Sequence, residues 1–214
     1  MKPVSPFIIL LNMRGKLPVR LPGRPRSFDT EEALDCALQV FSRKGYEGAS
    51  LADLTAAMGI NRPSLYAAFG DKESLFRKAL DRYAERTVGY MQQALQEKTA
   101  RGFVERLLRG VVEAVTDSRN APGCLTVTGA LACGDQSQSI RKELICRRDQ
   151  VERLISNRLR RAQKQGELPA DSKPADLGRY FATVVQGMAV QASAGATRQQ
   201  LRGVVETALR AWPK

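Results

Sequence analysis

Arg62, Ser64 and Tyr66 lie within five residues and carry a guanidinium, a hydroxyl and a phenol. Held together on one short element, such donors suit phosphate oxygens and base edges better than bond cleavage. Ser50, Asn61, Pro63 and Lys72 flank them at positions where elements start. The chain has no histidine, which removes the usual general base for a serine or cysteine nucleophile. It also lacks the Gly-x-x-x-x-Gly-Lys-Ser/Thr phosphate loop and any Gly-x-Gly-x-x-Gly turn between strand and helix. Acidic pairs such as Glu31-Glu32 are accounted for by helix capping, so an enzyme is the weaker class.

The elements that must hold these donors can be read locally. Ser50 followed by Asp53 matches a capping box, and Leu51, Leu54 and Met58 then recur at helical spacing. Gly59 stops that helix in a left-handed conformation. Asn61 caps the next helix, Pro63 sits in its first turn, and Leu65 and Phe69, four apart, bury one side. Arg62, Ser64 and Tyr66 are left on the open side. Two short helices joined by a tight turn make a helix-turn-helix, whose second helix enters a DNA major groove.

From about Gly23 to about Tyr83 the chain resembles the tetracycline-repressor (TetR) family of transcriptional regulators. The resemblance is carried by Phe41 with Gly45-Tyr46, by Met58-Gly59-Ile60, by Ser64-Leu65-Tyr66 with Phe69, and by Asp71-Lys72-Glu73 with Leu75. Thr55 stands where alanine is usual. Ala67-Ala68 replace an aromatic or histidine pair, leaving fewer hydrogen-bonding side chains on the second helix. The resemblance implies an all-α protein with a three-helix DNA-binding domain followed by a helical ligand-binding and dimerisation domain. The expected division is residues 1–26 as a basic, disordered arm, 27–72 as the DNA reader, and 73–214 as the effector-binding and dimerisation domain. The function implied is that of a repressor released from its operator by a small molecule; repression rather than activation follows from family habit alone. No cofactor is called for.

Charge agrees with a polyanionic partner. Thirty-four basic residues against 22 acidic ones give a net charge of +12. Residues 1–26 hold six basic side chains and no acidic one, and Arg24 and Arg26 from this arm should extend the contact to phosphates or a minor groove. Residues 139–166 hold nine basic against three acidic side chains, read as the solvated face of a long helix. Phe7–Leu11 is too short for a signal-peptide core or a membrane span, which points to a cytoplasmic protein whose natural start is Met13. A protein that coats DNA through charge alone is the competing binder. It would show little discrimination between sequences.

Downstream, the apolar pattern is helical. Asp29 with Glu32 caps a first helix buried through Ala33, Leu34, Ala37, Leu38 and Phe41. Asp71 caps a fourth, expected to run past Met91 to a break at Gly102. Cys124–Leu131 fits a strand by its β-branched residues but is read as helix from its neighbours and the resemblance. The stretch from Asp176 to Ala194 interleaves large apolar residues with Gly178, Ala182, Gly187 and Ala189, and small residues let helices approach closely. The resemblance pairs the last two helices with their copies in a homodimer, through Leu177, Tyr180, Gly187, Val205 and Leu209. A two-fold dimer suits a palindromic operator in double-stranded DNA. It also implies a pocket for a hydrophobic effector, for which Phe103, Leu107, Val111, Cys124, Val127, Leu131, Phe181, Val184 and Met188 are candidate lining. Thr126, Thr128, Gln186 and Gln191 are polar candidates for orienting it.

Cys36, Cys124, Cys133 and Cys146 form no C-x-x-C pair, so a zinc site is not expected. Cys36 is expected to be buried as a small apolar residue. Cys124 follows Pro122-Gly123 at a helix start, where the helix dipole favours thiolate, so a redox or electrophile switch there is an alternative mode of control.

Overall fold

The computed structural model describes residues 28–118, 121–131 and 137–213, and among these it contains α-helices and no strand. Helix α1 is Thr30–Gly48, α2 Leu51–Met58, α3 Arg62–Phe69, α4 Lys72–Leu95 and α5 Ala100–Val115. They are followed by α6 Leu125–Leu131, α7 Gln138–Lys164, α8 Pro174–Ser193 and α9 Arg198–Arg210. None of the helices is long and apolar enough to cross a membrane.

Caps fix where most of these helices begin. Asp29 Oδ1 accepts from the backbone of Glu31 and Glu32, Asn61 Oδ1 from Ser64 N at 2.9 Å, and Asp71 Oδ1 from Ser74 N at 2.7 Å. Each satisfies a backbone donor that the first turn leaves unpaired. The expected break at Gly102 falls elsewhere: α4 stops at Leu95, and Thr99 caps α5 by accepting from Gly102 N at 3.0 Å. Gly102 is thus inside the first turn of α5, and the threonine three residues before it was the boundary signal. Residues 125–131 are helical, as preferred over a strand.

Two apolar clusters organise the chain. In the first, Ala37, Phe41, Leu54, Leu65 and Phe69 of α1–α3 pack with Leu75, Phe76, Ala79 and Leu80 of α4. Leu125 from α6 and Ile140 and Leu144 from α7 complete it. Phe76 is fully buried at its centre, edge-on to Phe41 (centroids 4.8 Å apart) and Tyr46 (5.1 Å). Tyr46 reaches it because α1 bends at Gly45, whose φ of 69° and ψ of −177° suit only glycine. The second cluster joins α5, the far half of α7, α8 and α9, with Phe103, Leu107, Val112, Ile155, Leu159 and Phe181 fully buried. Helix α4 serves both, since Tyr90, Met91 and Ala94 near its end pack on the second.

Close approaches and ion pairs hold the helices in register. A Cβ on Gly178 would lie 2.0 Å from Ser156 Oγ and 3.0 Å from Ser156 Cα, so glycine is what lets α8 lie against α7. Of the basic run on α7, Arg141, Lys142, Arg153, Arg160, Arg161 and Lys164 are exposed, as expected. Arg147 and Arg158 are not part of that solvated face. Arg147 bonds Asp81 on α4 at 2.6 Å and Glu143 at 2.8 Å. Arg158, 8% exposed, pairs with Glu167 at 3.5 Å and donates to the Lys98 carbonyl at 3.2 Å. Glu167 in turn accepts from the backbone N–H of Ala100 at the start of α5.

Phe76→Ala should cost about 3–5 kcal/mol, the usual toll of emptying a buried aromatic site. Urea unfolding checks this, and a cost near zero would mean the cluster closes without it. Burial pushes the Glu143 carboxyl up, but hydrogen bonds from Arg147 and Arg77 more than offset this and leave it below its ordinary range. A carboxyl lowered in the folded state contributes stability at neutral pH that is lost as acid protonates it. Glu143→Gln should therefore be less stable than wild type at pH 7, with the gap closing below about pH 4.5. A gap independent of pH in urea titrations would contradict that origin.

Candidate nucleic-acid interface

Leu65 and Phe69 face the first cluster and fix α3 against it. The opposite side of α3 is solvent-exposed at Arg62, Pro63, Tyr66 and Ala67, and Tyr66 keeps 49% of its surface accessible. Ser64 is half-buried, with its backbone N–H held by Asn61. Arg62 makes no ion pair among the described residues. The first turn of α3 carries no acidic side chain, so the positive end of its dipole is not cancelled locally. Gly59 (φ 64°, ψ 28°) makes the turn from α2 by adopting a left-handed conformation.

The flanking donors are more constrained. Ser50 Oγ accepts from Asp53 N at 3.0 Å and donates to Asp53 Oδ2 at 2.7 Å, while Ser50 N donates to the same carboxylate at 3.0 Å. Its hydroxyl and amide are thus committed to the cap of α2. Lys44 Nζ, 2.6 Å from Asp53 Oδ1, locks that corner further, and the Lys44 and Ser50 hydrogen bonds hold the Asp53 carboxyl well below the usual range. Lys72, in the first turn of α4, sits with Nζ 4.6 Å above the Tyr46 ring, and partial burial lowers its pKa. Thr55, the other departure on α2, turns its hydroxyl onto the Leu51 carbonyl at 2.8 Å. Arg24 and Arg26 lie outside the described residues.

Residues expected elsewhere are distributed differently. Val205 is fully buried and Leu209 6% exposed in the second cluster, because the single apolar face of α9 is consumed by α5 and α8. Leu177 packs partly against the same cluster. Tyr180 is 39% exposed, and a Cβ on Gly187 would meet nothing within 4 Å. Sequence reading missed the exposure of Val190 and Val204, at 39% and 41%, which only the helix packing reveals.

Of the candidate effector lining, Phe103, Leu107, Val111, Val127, Phe181 and Met188 are buried in close-packed core, and Val184 packs against it. The side chain of Leu131 lies outside the described atoms, as do that of Thr128 and the whole of Cys133. Thr126 is half-buried, Gln186 half-buried and Gln191 exposed. Of the candidates, Cys124 borders a cavity of about 100 Å³ between α1, α4 and the start of α6. Its Sγ is 3.1 Å from Thr126 Oγ1, and it hydrogen-bonds the half-buried Tyr83 phenol, whose pKa desolvation drives well above the usual value. Helix α6 is only seven residues long, so the dipole expected at this thiol is that of two turns. Cys36 is half-buried against the first cluster, and Cys146 is exposed.

Comparison with known proteins places this geometry. Residues 33–79 match the model of bacterial regulatory proteins of the tetR family, and residues 104–208 match a tetracyclin repressor-like C-terminal domain. The HTH-type transcriptional repressor ComR of Escherichia coli (strain K12) is 34% identical over 90% of this chain and 92% of its own. The repressor BdcR of the same organism is 28% identical over 85% of this chain and 88% of its own. A cysteine-substituted form of the TetR family transcriptional regulator CifR, solved in complex with 26-bp double-strand operator DNA, is 45% identical and superposes with a TM-score of 0.85, covering 89% of this chain and all of that one. A helix-turn-helix in front of a helical body, matched along nearly its full length by these regulators, makes this chain a member of the TetR family.

Proposed function

We propose that the chain is a homodimeric, sequence-specific DNA-binding regulator of transcription, acting in the cytoplasm as a repressor that a small molecule releases from a palindromic operator. The observation that carries this reading is the two-sided character of α3. Its apolar side is locked into the first cluster, while Arg62, Pro63, Tyr66 and Ala67 are exposed beside an uncancelled helix N-terminus. Rigid presentation of donors is what base and phosphate contacts need. The operator complex of CifR and the repressor names of ComR and BdcR support the same role, and favour it over charge-driven coating.

The dimer reading rests on α8. Tyr180, Thr183, Gly187, Val190 and Ala194 are all exposed at alternating spacings of three and four, which forms one continuous stripe. A glycine in the middle of that stripe leaves open space for a facing backbone. Val204 on the neighbouring α9 adds to the apolar surface. Ser50, committed to its cap, fixes the start of α2 at one edge of the contact, Lys72 over Tyr46 supplies charge at the other, and Asn61 and Ser64 lie near its centre.

Two substitutions test the two halves of this reading. Arg62→Ala should weaken binding to an inverted-repeat operator about tenfold or more and leave circular dichroism unchanged, since Arg62 is exposed. Fluorescence anisotropy with labelled operator checks it; undiminished affinity would exclude Arg62 from the contact. Val190→Arg should shift sedimentation from dimer to monomer and lower operator affinity with it. A dimer that persists would place the interface on another surface.

A further inference from the structure

The 100 Å³ cavity beside Cys124 lies where the reader meets the rest of the chain. Its walls are Leu38 and Gln39 of α1, Tyr83 and Arg86 of α4, Ala114 of α5 and Cys124 before α6. We propose that this cavity binds a small neutral amphiphile, and that occupancy shifts α1 against α4. The binding claim stands by itself; the step from that shift to DNA affinity rests on the regulator reading above.

Size follows from volume. An apolar cavity of roughly 150 Å³ takes benzene, so this one, smaller by about a third, takes a ligand of about four heavy atoms and not a drug-sized molecule. Chemistry follows from the lining. Leu38, Ala114, Pro122 and Leu125 offer an apolar body a dry wall. The Gln39 amide, the Ser42 hydroxyl and the Arg86 guanidinium offer hydrogen bonds to one carbonyl or hydroxyl. A charged ligand of either sign is disfavoured, because the wall holds both Asp117 and Arg86, and Arg86 is already matched by Asp35 at 2.7 Å. Tyr83, a half-buried phenol hydrogen-bonded with Cys124, adds a polar group to the lining.

Placement supplies the coupling. Asp35 on α1 pairs with Arg82 at 2.8 Å and Arg86 at 2.7 Å on α4, and Gln39 lies one turn further along α1. A ligand touching Gln39 and Arg86 therefore bears on both sides of the tie between these helices. Leu38 on the cavity wall also belongs to the cluster that seats α3, so displacement of α1 reaches the exposed donors through packed side chains.

The test uses 2-propanol and acetone as probes, titrated into the full chain and followed by ligand-observed NMR. Ala114→Leu and Ser42→Leu fill the cavity from opposite walls. At least one probe should bind wild type saturably, and both variants, at unchanged melting temperature, should lose about tenfold or more in affinity. No saturable binding to wild type, or equal binding by wild type and both variants, overturns the site. With a DNA fragment that the protein selects, saturating probe should change wild-type affinity about fivefold or more and leave the filled variants unchanged. Constant wild-type affinity overturns the coupling and leaves the site. Failure to select any fragment overturns the regulator reading alone, because the NMR titration needs no DNA.

Discussion

The burial of Phe76 is the contact on which the rest of the structure depends. Its ring stands edge-on to Phe41 and Tyr46, which both come from α1. The same ring is one of the nearest neighbours of Gly129 on α6, alongside Leu125 and Leu144. Helices on both sides of the chain thus close on one side chain of α4. Aromatic pairs in this geometry add about 0.5–1.5 kcal/mol each beyond their burial. Such a centre also resists partial displacement, since close-packed groups shift between discrete arrangements rather than deform smoothly.

Because Leu125, Ile140 and Leu144 sit inside the reader's own cluster, the reader does not carry a core of its own. That has a functional consequence. A change in the position of α6 or the start of α7 alters the packing beneath α3 directly. Ion pairs reinforce the link, with Arg77 and Arg147 joining α4 to α7 through Glu143 and Asp81. The far half of the molecule is tied to the same frame by the buried Arg158, which bridges α7 to the loop before α5.

Local chemistry made much of this legible from residues alone. The capping pairs of Ser50 with Asp53, of Asn61 with Ser64 and of Asp71 with Ser74 fix the starts of α2, α3 and α4 within a residue, because a cap acts over three positions. The inward faces of α1 and α3 followed from spacing for the same reason. What was illegible depends on tertiary choice. The apolar face of α9 was visible, but not that Val205 and Leu209 would be spent inside the protomer while Val204 stays out. A glycine and a small-residue stripe likewise read the same for either use. Gly178 serves α7 within the chain, whereas Gly187 is left open. The cavity had no sequence signal, as its walls come from four separate elements.

That the exposed side of α3 reads sequence, and does not merely attract phosphate, is the central claim. Selection of genomic fragments by the purified chain at near-physiological salt tests it most directly. The account predicts enrichment of one short inverted repeat whose half-sites repeat at one helical turn of DNA or a multiple of it, bound about a thousandfold or more above unrelated sequence. Recovery of unrelated fragments, all weakening alike as salt rises, would contradict it and reduce the interface to charge.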